Sequence, residues 1–318
     1  MAETADKTAP MAEVRGRTAF ITGGANGIGL GIARALVKAG ANVVIADIRE
    51  SSLAEAKASL GADNQVETVQ LDVTDRAGFV RAADAAEARF GKIHMLIGNA
   101  GVGVMGPIVD TKYDDWDWAM GVNFGGVING LVTILPRMRA HGEGGQIVTT
   151  SSQSALIPIS FSATYTAAKA AVLGLSEAIR GELAGENIGV SAFMPGPVQS
   201  NIAMSGELRP DQYKRDSGYV EREAQLGKRP VSPLWMSADE VGERVLAGIR
   251  NNDLYILTHP EFAQGMRTRF DAILASMPDE PINQERAEGI GFLLGNKVFD
   301  EQLERRTAAP VKSPEAIA

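Results

Sequence analysis

Residues 18–40, TAFITGGANGIGLGIARALVKAG, constrain the fold more than any other stretch of the chain. A short, mostly apolar run leads into a glycine-rich turn. Apolar residues at helical spacing follow, closed by a glycine. That pattern is strand, turn and helix. Similar strand-like runs recur at 42–46 (NVVIA), 66–71 (VETVQL), 94–97 (HMLI), 146–149 (QIVT), 189–193 (GVSAF) and 254–257 (LYIL). Helical patterns separate them: SSLAEAKASLG with a serine cap and a terminal glycine, RAGFVRAADAAEARFG, a long helix within 116–138, and helices at 163–183 and 239–250. Continuous apolar strands alternating with helices imply a parallel sheet covered on both faces. The opening glycine turn makes it a single doubly wound, Rossmann-type α/β domain with a seven-stranded parallel sheet. We expect this domain over residues 15–258. A C-terminal helical extension follows over 259–306, formed by two helices, HPEFAQGMRTRFDAILASM and INQERAEGIGFLLGNKVFDEQLERR. Residues 1–14 and 307–318 are polar, Ala/Pro-rich and aperiodic, and read as disordered tails.

Composition removes several classes of function. The chain has 318 residues and 45% hydrophobic content, enough for one large core. Its 31 basic and 39 acidic residues give a net charge of −8 with no basic stripe, which argues against nucleic acid as a partner. Cysteine is absent, so disulfides, thiol catalysis and thiolate zinc ligation are excluded. Three histidines, at 94, 141 and 259, are too scattered to suggest a metal site, and no metal is expected. The N-terminus lacks an apolar leader and no run of 18 apolar residues occurs. The expectation is a cytoplasmic protein with no membrane partner.

In doubly wound folds ligands sit beyond the carboxyl ends of the strands, so the segments that follow strands carry the site. Gly23, Gly27 and Gly29 are spaced G-x-x-x-G-x-G. Residues without Cβ permit the turn, let backbone approach a pyrophosphate, and let helix pack on strand. Asp47 ends the second strand, 18 positions after Gly29. A carboxylate there accepts from both adenosine-ribose hydroxyls and repels a 2′-phosphate. No Arg or Lys lies within the turn, and Arg49 follows Asp47 without cancelling it. NAD rather than NADP is the expected cofactor. A second puzzle is SATYTAAKAAV at 162–172, where Tyr165 and Lys169 stand four apart in a helix of small residues. Alone, the pair reads as a tyrosine at a helix edge and a solvated lysine.

The rest of the chain overturns that. With TGGANGIG at 22–29, GNAG at 98–101, Asn123 in MGVNFGG, the serine pair at 151–152, Y-x-x-x-K at 165–169 and PGPV at 195–198, the chain resembles the short-chain dehydrogenase/reductase family over roughly residues 15–258. Gly98 departs from the family, which usually has a second Asn there. The resemblance implies Tyr165 as general acid/base. Lys169 would lower the phenol pKa and hold the nicotinamide ribose. Ser152, thirteen residues before Tyr165, would orient the substrate oxygen, with Ser151 and Ser154 as local decoys. Asn123 would hold a water linking Lys169 to solvent. It further implies that Asp72 and Val73 hold adenine and that Asn99, Ala100 and Gly101 line the adenine ribose. Asn26, Gly27 and Ile28 would meet the pyrophosphate, Pro195, Gly196 and Val198 would place the nicotinamide, and Ser200 would stand near the phosphate and carboxamide.

Two features exceed a minimal member. Residues 200–235 are long, polar and irregular, and the resemblance implies a flexible substrate lid. Its Arg209, Lys214, Arg215, Lys228 and Arg229 either meet an acidic substrate or form a solvated face. The C-terminal extension either walls the pocket or packs across a subunit. YDDWDWAMGVNFGGVING, SNIAMSGELRP followed by SGYVE, and LYILTHPEF are similar to segments of bacterial NAD-dependent Cα-dehydrogenases of lignin-derived β-aryl ethers. The implied activity interconverts a bulky, aromatic secondary alcohol and its ketone. The alternatives are a ketone reductase or hydroxysteroid-type dehydrogenase and, more remotely, a non-catalytic NAD-binding regulator. The family also implies a homodimer or homotetramer packed through the two long helices. Gly125, Gly126, Gly130, Ala167, Ala170, Ala171 and Gly174 keep those helices slim.

Overall fold

The computed structural model describes residues 9–62, 64–227 and 230–308. Within the first of two compact units, Met1–Pro260, strands and helices alternate: β1 (Thr18–Thr22), α1 (Gly27–Lys38), β2 (Asn42–Asp47), α2 (Glu50–Leu60), β3 (Val66–Gln70), α3 (Arg76–Phe90), β4 (Met95–Gly98), α4 (Tyr113–Met120), α5 (Gly126–His141), β5 (Gly145–Thr150), α6 (Gln153–Leu156), α7 (Ala163–Leu183), β6 (Ile188–Met194), α8 (Val220–Leu226), α9 (Ala238–Arg250) and β7 (Tyr255–Leu257). The seven strands pair in parallel in the order β3-β2-β1-β4-β5-β6-β7. The order reverses between β1 and β4, which is where such a sheet opens a crevice.

Apolar side chains fill both faces of the sheet. On one, Ile32 and Leu36 of α1 and Val241, Val245 and Ile249 of α9 cover Ile21, Val43 and Ile45. On the other, Phe79 of α3, Val127 and Ile134 of α5, and Val172 of α7 cover Phe20, Val44 and Ile147. Ala9, Met11 and Val14 are buried and correct the expected tail at 1–14, because Met11 and Val14 join the first of these clusters. Thr307 and Ala308, expected in the C-terminal tail, instead close a helix over Lys297–Ala308, and the remainder of the expected tails, 1–8 and 309–318, lies outside the described residues. Helix α2 starts at Glu50 with Arg49 as its N-cap, two residues before the position a cap at Ser51 would set, and Gly61 ends it in the left-handed region at φ 59°.

The segment Tyr113–His141 is continuously helical, with a π-helical turn at Gly121–Gly125 between α4 and α5. By length and composition it could cross a membrane, against expectation. Trp118, Ala119, Asn123, Val127, Leu131, Ile134 and Met138 are instead buried within the unit, as in a core helix.

The second unit, Glu261–Ala318, holds α10 (Ala263–Leu274), α11 (Gln284–Gly289) and α12 (Lys297–Ala308). Two helices were expected here and three form. Gly289, Gly291 and Gly295 interrupt the second, since glycine in a helix interior costs about 1 kcal/mol relative to alanine. No residue of α10 or α11 is buried.

Candidate active site

A cleft opens at the carboxyl ends of the strands around the reversal of strand order. Gly23, Asn26, Gly27, Ile28, Asp47, Asp72, Val73, Asn99, Ala100, Gly101, Tyr165, Lys169, Pro195 and Ser200 all line it. Five expected residues do not. Gly29 lies beneath the glycine turn, where a Cβ would stand 2.2 Å from the carbonyl oxygen of Gly23. The Gly196 N–H donates to Thr258 Oγ1 at 3.0 Å. Val198 is buried in the core and bridges to Met236. Gly196 and Val198 thus brace the chain after β6 rather than face the cleft. The other two, Asn123 and Ser152, stand behind its lining.

Gly23 has φ +61°, and a Cβ there would meet Ala100 Cα at 2.8 Å, so only glycine brings the turn this close to the end of β4. Asn99 fixes that approach. Its amide donates to the carbonyls of Thr22 and Gly23, both at 3.1 Å, while its backbone N–H donates to Thr22 Oγ1 at 3.0 Å. The Asn99 side chain therefore shapes the turn. Asp47 is 9% exposed. Its Oδ2 accepts from Ala25 N–H at 3.3 Å and its Oδ1 from Arg49 N–H at 3.2 Å. Asn26 Nδ2 and Arg49 Nε, both in cleft-lining residues, are buried donors without a protein acceptor. Buried donors call for partners, and the oxygen-rich phosphates and riboses of a dinucleotide supply acceptors. The donor set therefore fits that group. Asp72 Oδ1 accepts from the N–H and hydroxyl of Thr74 at 2.9 and 2.8 Å. Asn129, which sequence reasoning missed, donates to the Val73 carbonyl at 2.8 Å and fixes the wall from α5.

At the other end, one turn of α7 puts Tyr165 and Lys169 on the same buried face. Lys169 Nζ donates to the Thr150 carbonyl at 2.8 Å and lies 5.6 Å from the Tyr165 ring centroid. Burial lowers the ammonium pKa to about 8. The Ser152 hydroxyl neighbours Tyr165 and favours its phenolate. Burial raises the phenol above its ordinary value of 10 and outweighs that influence, so the expected lowering is not produced by these side chains. The neighbouring serines separate cleanly. Ser151 Oγ donates to the Lys169 carbonyl at 2.7 Å, whereas Ser152 caps α6, accepting from Ser154 N–H at 3.1 Å.

Asn123 sits in the π turn beside this pair. A Cβ on Gly101 would stand 2.8 Å from Asn123 Oδ1 and 3.3 Å from Lys169 Nζ. Its Oδ1 accepts from Val102 N–H at 3.1 Å, and its amide donates to the carbonyls of Val102 and Ala119, both at 3.0 Å. Both amide hydrogens are engaged with main chain. The side chain ties the loop after β4 to the helix.

Within 200–227 the segment forms 3-10 turns at Ile202–Leu208 and Asp211–Tyr213, followed by α8. Ile202, Ser205, Leu208, Pro210, Gln212 and Tyr213 line the cleft opposite Val102, Trp118 and Val122. Ser205 Oγ accepts from Gly103 N–H at 2.9 Å, and the buried Tyr219 donates to the Pro107 carbonyl at 2.9 Å. Neither reading of Arg209 holds. It is 2% exposed and paired with Asp115 and Glu223. Lys214 pairs with Asp211 on the surface at 3.0 Å, and Lys228 and Arg229 lie outside the described residues.

Away from the cleft, the fold unites two histidines the sequence separates. His94, His141 and Glu143 place potential ligand atoms within 4.8 Å of one another. Every ring nitrogen is already engaged. His94 Nδ1 accepts from Thr18 N–H at 3.2 Å and Nε2 faces Glu143 Oε2 at 3.1 Å. His141 Nδ1 accepts from Glu143 N–H at 3.1 Å and Nε2 faces the Ile93 carbonyl at 3.0 Å. Arg17 and Lys92 also pair with Glu143 and hold its carboxyl pKa at about 2. The cluster is a hydrogen-bonded staple.

The short chain dehydrogenase family matches residues 17–211, and the chain belongs to it. A C alpha-dehydrogenase of Sphingobium sp. is 42% identical over 270 residues, covering 84% of this chain and 88% of that protein. A 3beta-hydroxysteroid dehydrogenase 2 of Eggerthella lenta is 34% identical over 234 residues, covering 71% of this chain and 90% of that protein. Among solved structures, a short chain dehydrogenase/reductase of Burkholderia phymatum in complex with NAD superposes with a TM-score of 0.77 at 32% identity, covering 85% of this chain and 99% of its own. The chain is an alcohol-type oxidoreductase that uses a nicotinamide cofactor.

Proposed function

We propose that the chain is an NAD-dependent dehydrogenase that interconverts a bulky, apolar or aromatic secondary alcohol and its ketone. One observation carries the reading: a buried Tyr165, with Ser152 beside it and Lys169 one helical turn on, shares a cleft with Asp47, which follows the glycine turn. Asp47 accepts from the adenosine ribose and excludes a 2′-phosphate, while Gly23, Asn26, Gly27 and Ile28 meet the pyrophosphate. Bound NAD supplies the hydride acceptor and a positive charge. In the oxidising direction Ser152 orients the alcohol oxygen, Tyr165 takes the hydroxyl proton, and hydride leaves the carbinol carbon. The proton has a route onward through Lys169. With NAD as acceptor, oxidation is the physiological direction.

The substrate class rests on Val102, Trp118, Val122, Leu208 and Tyr213, an apolar and aromatic set lining the cleft. The 42% identical Sphingobium relative, a C alpha-dehydrogenase, supports a benzylic alcohol. The Eggerthella relative supports a hydroxysteroid as the second reading. NAD reduction followed spectroscopically against small aliphatic alcohols, 1-aryl alcohols, a β-aryl ether dimer and a hydroxysteroid tests both. Turnover led by the aryl compounds is the expected result, and turnover of small alcohols alone rejects the class. The assembly is a homodimer or homotetramer through α7, whose Ala167, Ala170 and Gly174 form an exposed stripe of small residues. A solution mass of one chain contradicts it.

A further inference from the structure

Among the largest fully buried side chains of the described residues, one is charged: Arg209. Its Nε and Nη2 fork onto the two oxygens of Glu223 at 2.9 and 2.5 Å, and its Nη1 reaches Asp115 Oδ1 at 2.9 Å and the Tyr213 carbonyl at 3.2 Å. The guanidinium carbon lies 4.3 Å from the Trp118 ring. Asp115 comes from α4 and also accepts from Ser217 Oγ at 2.5 Å and Gly218 N–H at 3.1 Å. Two separate parts of the lid, Arg209 and Ser217–Gly218, therefore converge on a single buried carboxylate of the body, and Glu223 is tied to it through Arg209.

A buried ion cluster gives little stability over apolar side chains of the same volume, because desolvation of each charge offsets the attraction between them. What it fixes is geometry. Glu223 is held in a bidentate fork that lysine cannot reproduce. The parts it fixes are those that face the cleft. Leu208 and Pro210 flank Arg209 in the chain, Tyr213 is held by its carbonyl, and Trp118 is covered on one face, and all four line the cleft.

We propose that Arg209 is a positioning and specificity-determining residue: through Asp115 and Glu223 it buckles the lid onto α4 and so sets the outer wall of the alcohol subsite. The selection of bulky over small alcohols, which rests on the substrate class proposed above, depends on this buckle. The chemistry at Tyr165 does not. Small alcohols need only the floor of the cleft, whereas a bulky one also takes binding energy from the wall.

The test compares the wild type with Arg209→Lys, which keeps charge and loses the fork. It adds the double variant Arg209→Met with Glu223→Leu, which leaves only Asp115, still held by its Lys112, Ser217 and Gly218 donors, where Arg209→Met alone strips the cation from two buried carboxylates. Lys214→Ala, on the exposed face of the same segment, is the control. Melting temperature, NADH affinity, kcat and KM for a small and a 1-aryl alcohol, and amide hydrogen exchange over residues 202–226 are read for each. In the double variant KM for the aryl alcohol rises about tenfold or more while the small alcohol and NADH stay within about twofold. Exchange over 202–226 accelerates, and Arg209→Lys recovers folding without recovering selectivity. Equal losses on both alcohols, or unchanged selectivity with unchanged exchange, overturn the proposal. If the wild type turns over no bulky alcohol, the substrate class fails. The exchange data then decide on Arg209 alone, since protection equal to wild type in the double variant rejects the buckle.

Discussion

Asp47 and Tyr165 mark the two ends of one cleft, and each does its work because of what surrounds it. Asp47 is held by two backbone N–H groups, so its carboxylate keeps one orientation. A hydrogen bond to a charged group contributes about 1.5–3 kcal/mol, so Asp47→Ala should weaken NAD by about tenfold to a hundredfold. It should also narrow the gap to NADP. Michaelis constants for both cofactors check this, and an unchanged ratio would place cofactor choice elsewhere. At this scale the sequence was informative wherever spacing carries chemistry. The four-residue step from Tyr165 to Lys169 and the thirteen-residue step back to Ser152 correspond to side chains that meet in space. Directions of side chains were not legible. Nothing in the order of residues shows that Asn123 bonds to main chain, that Val198 turns into the core, or that burial outweighs the influence of Ser152 on Tyr165.

Elements that alternate with period were read with little error, since β1, β2, β4, β5 and β6 are buried along almost their whole length. The lid was not, because its order comes from contacts far apart in the chain. Arg209 and Asp115 are 94 residues apart, and no local pattern marks a buried arginine. The staple of His94, His141 and Glu143 was hidden in the same way, with His94 just before β4 and the other two just before β5. It makes a prediction of its own. Burial lowers the His94 pKa below its ordinary 6.5, so the unfolded chain takes up a proton that the folded chain refuses. Stability is then fully present above about pH 6.5 and declines as pH falls below it. Melting temperature should drop between pH 7 and 5, and drop less in His94→Gln. Equal slopes would show that another group sets the acid limit. Glu143 does not compete in that window, because its carboxyl titrates near 2.

For the molecule as a whole, every residue that lines the cleft falls between Gly23 and Tyr213, inside the unit that ends at Pro260. A chain cut after Pro260 should therefore bind NADH within about threefold of the full chain. A large loss would give the second unit a part in the site. The fold of that unit was the least legible, because a pattern of apolar residues broken by Gly289, Gly291 and Gly295 fits one bent helix or two short ones equally well. The central claim is that a buried Tyr165 exchanges the alcohol proton while the cofactor cleft stays independent of it. Positioned acid–base catalysis contributes about a hundredfold to ten-thousandfold. The most direct test is Tyr165→Phe, with NAD reduction on the best secondary alcohol measured beside NADH binding. Turnover should fall by at least about a hundredfold with NADH affinity near that of the wild type. Retained turnover with NADH still bound would contradict it.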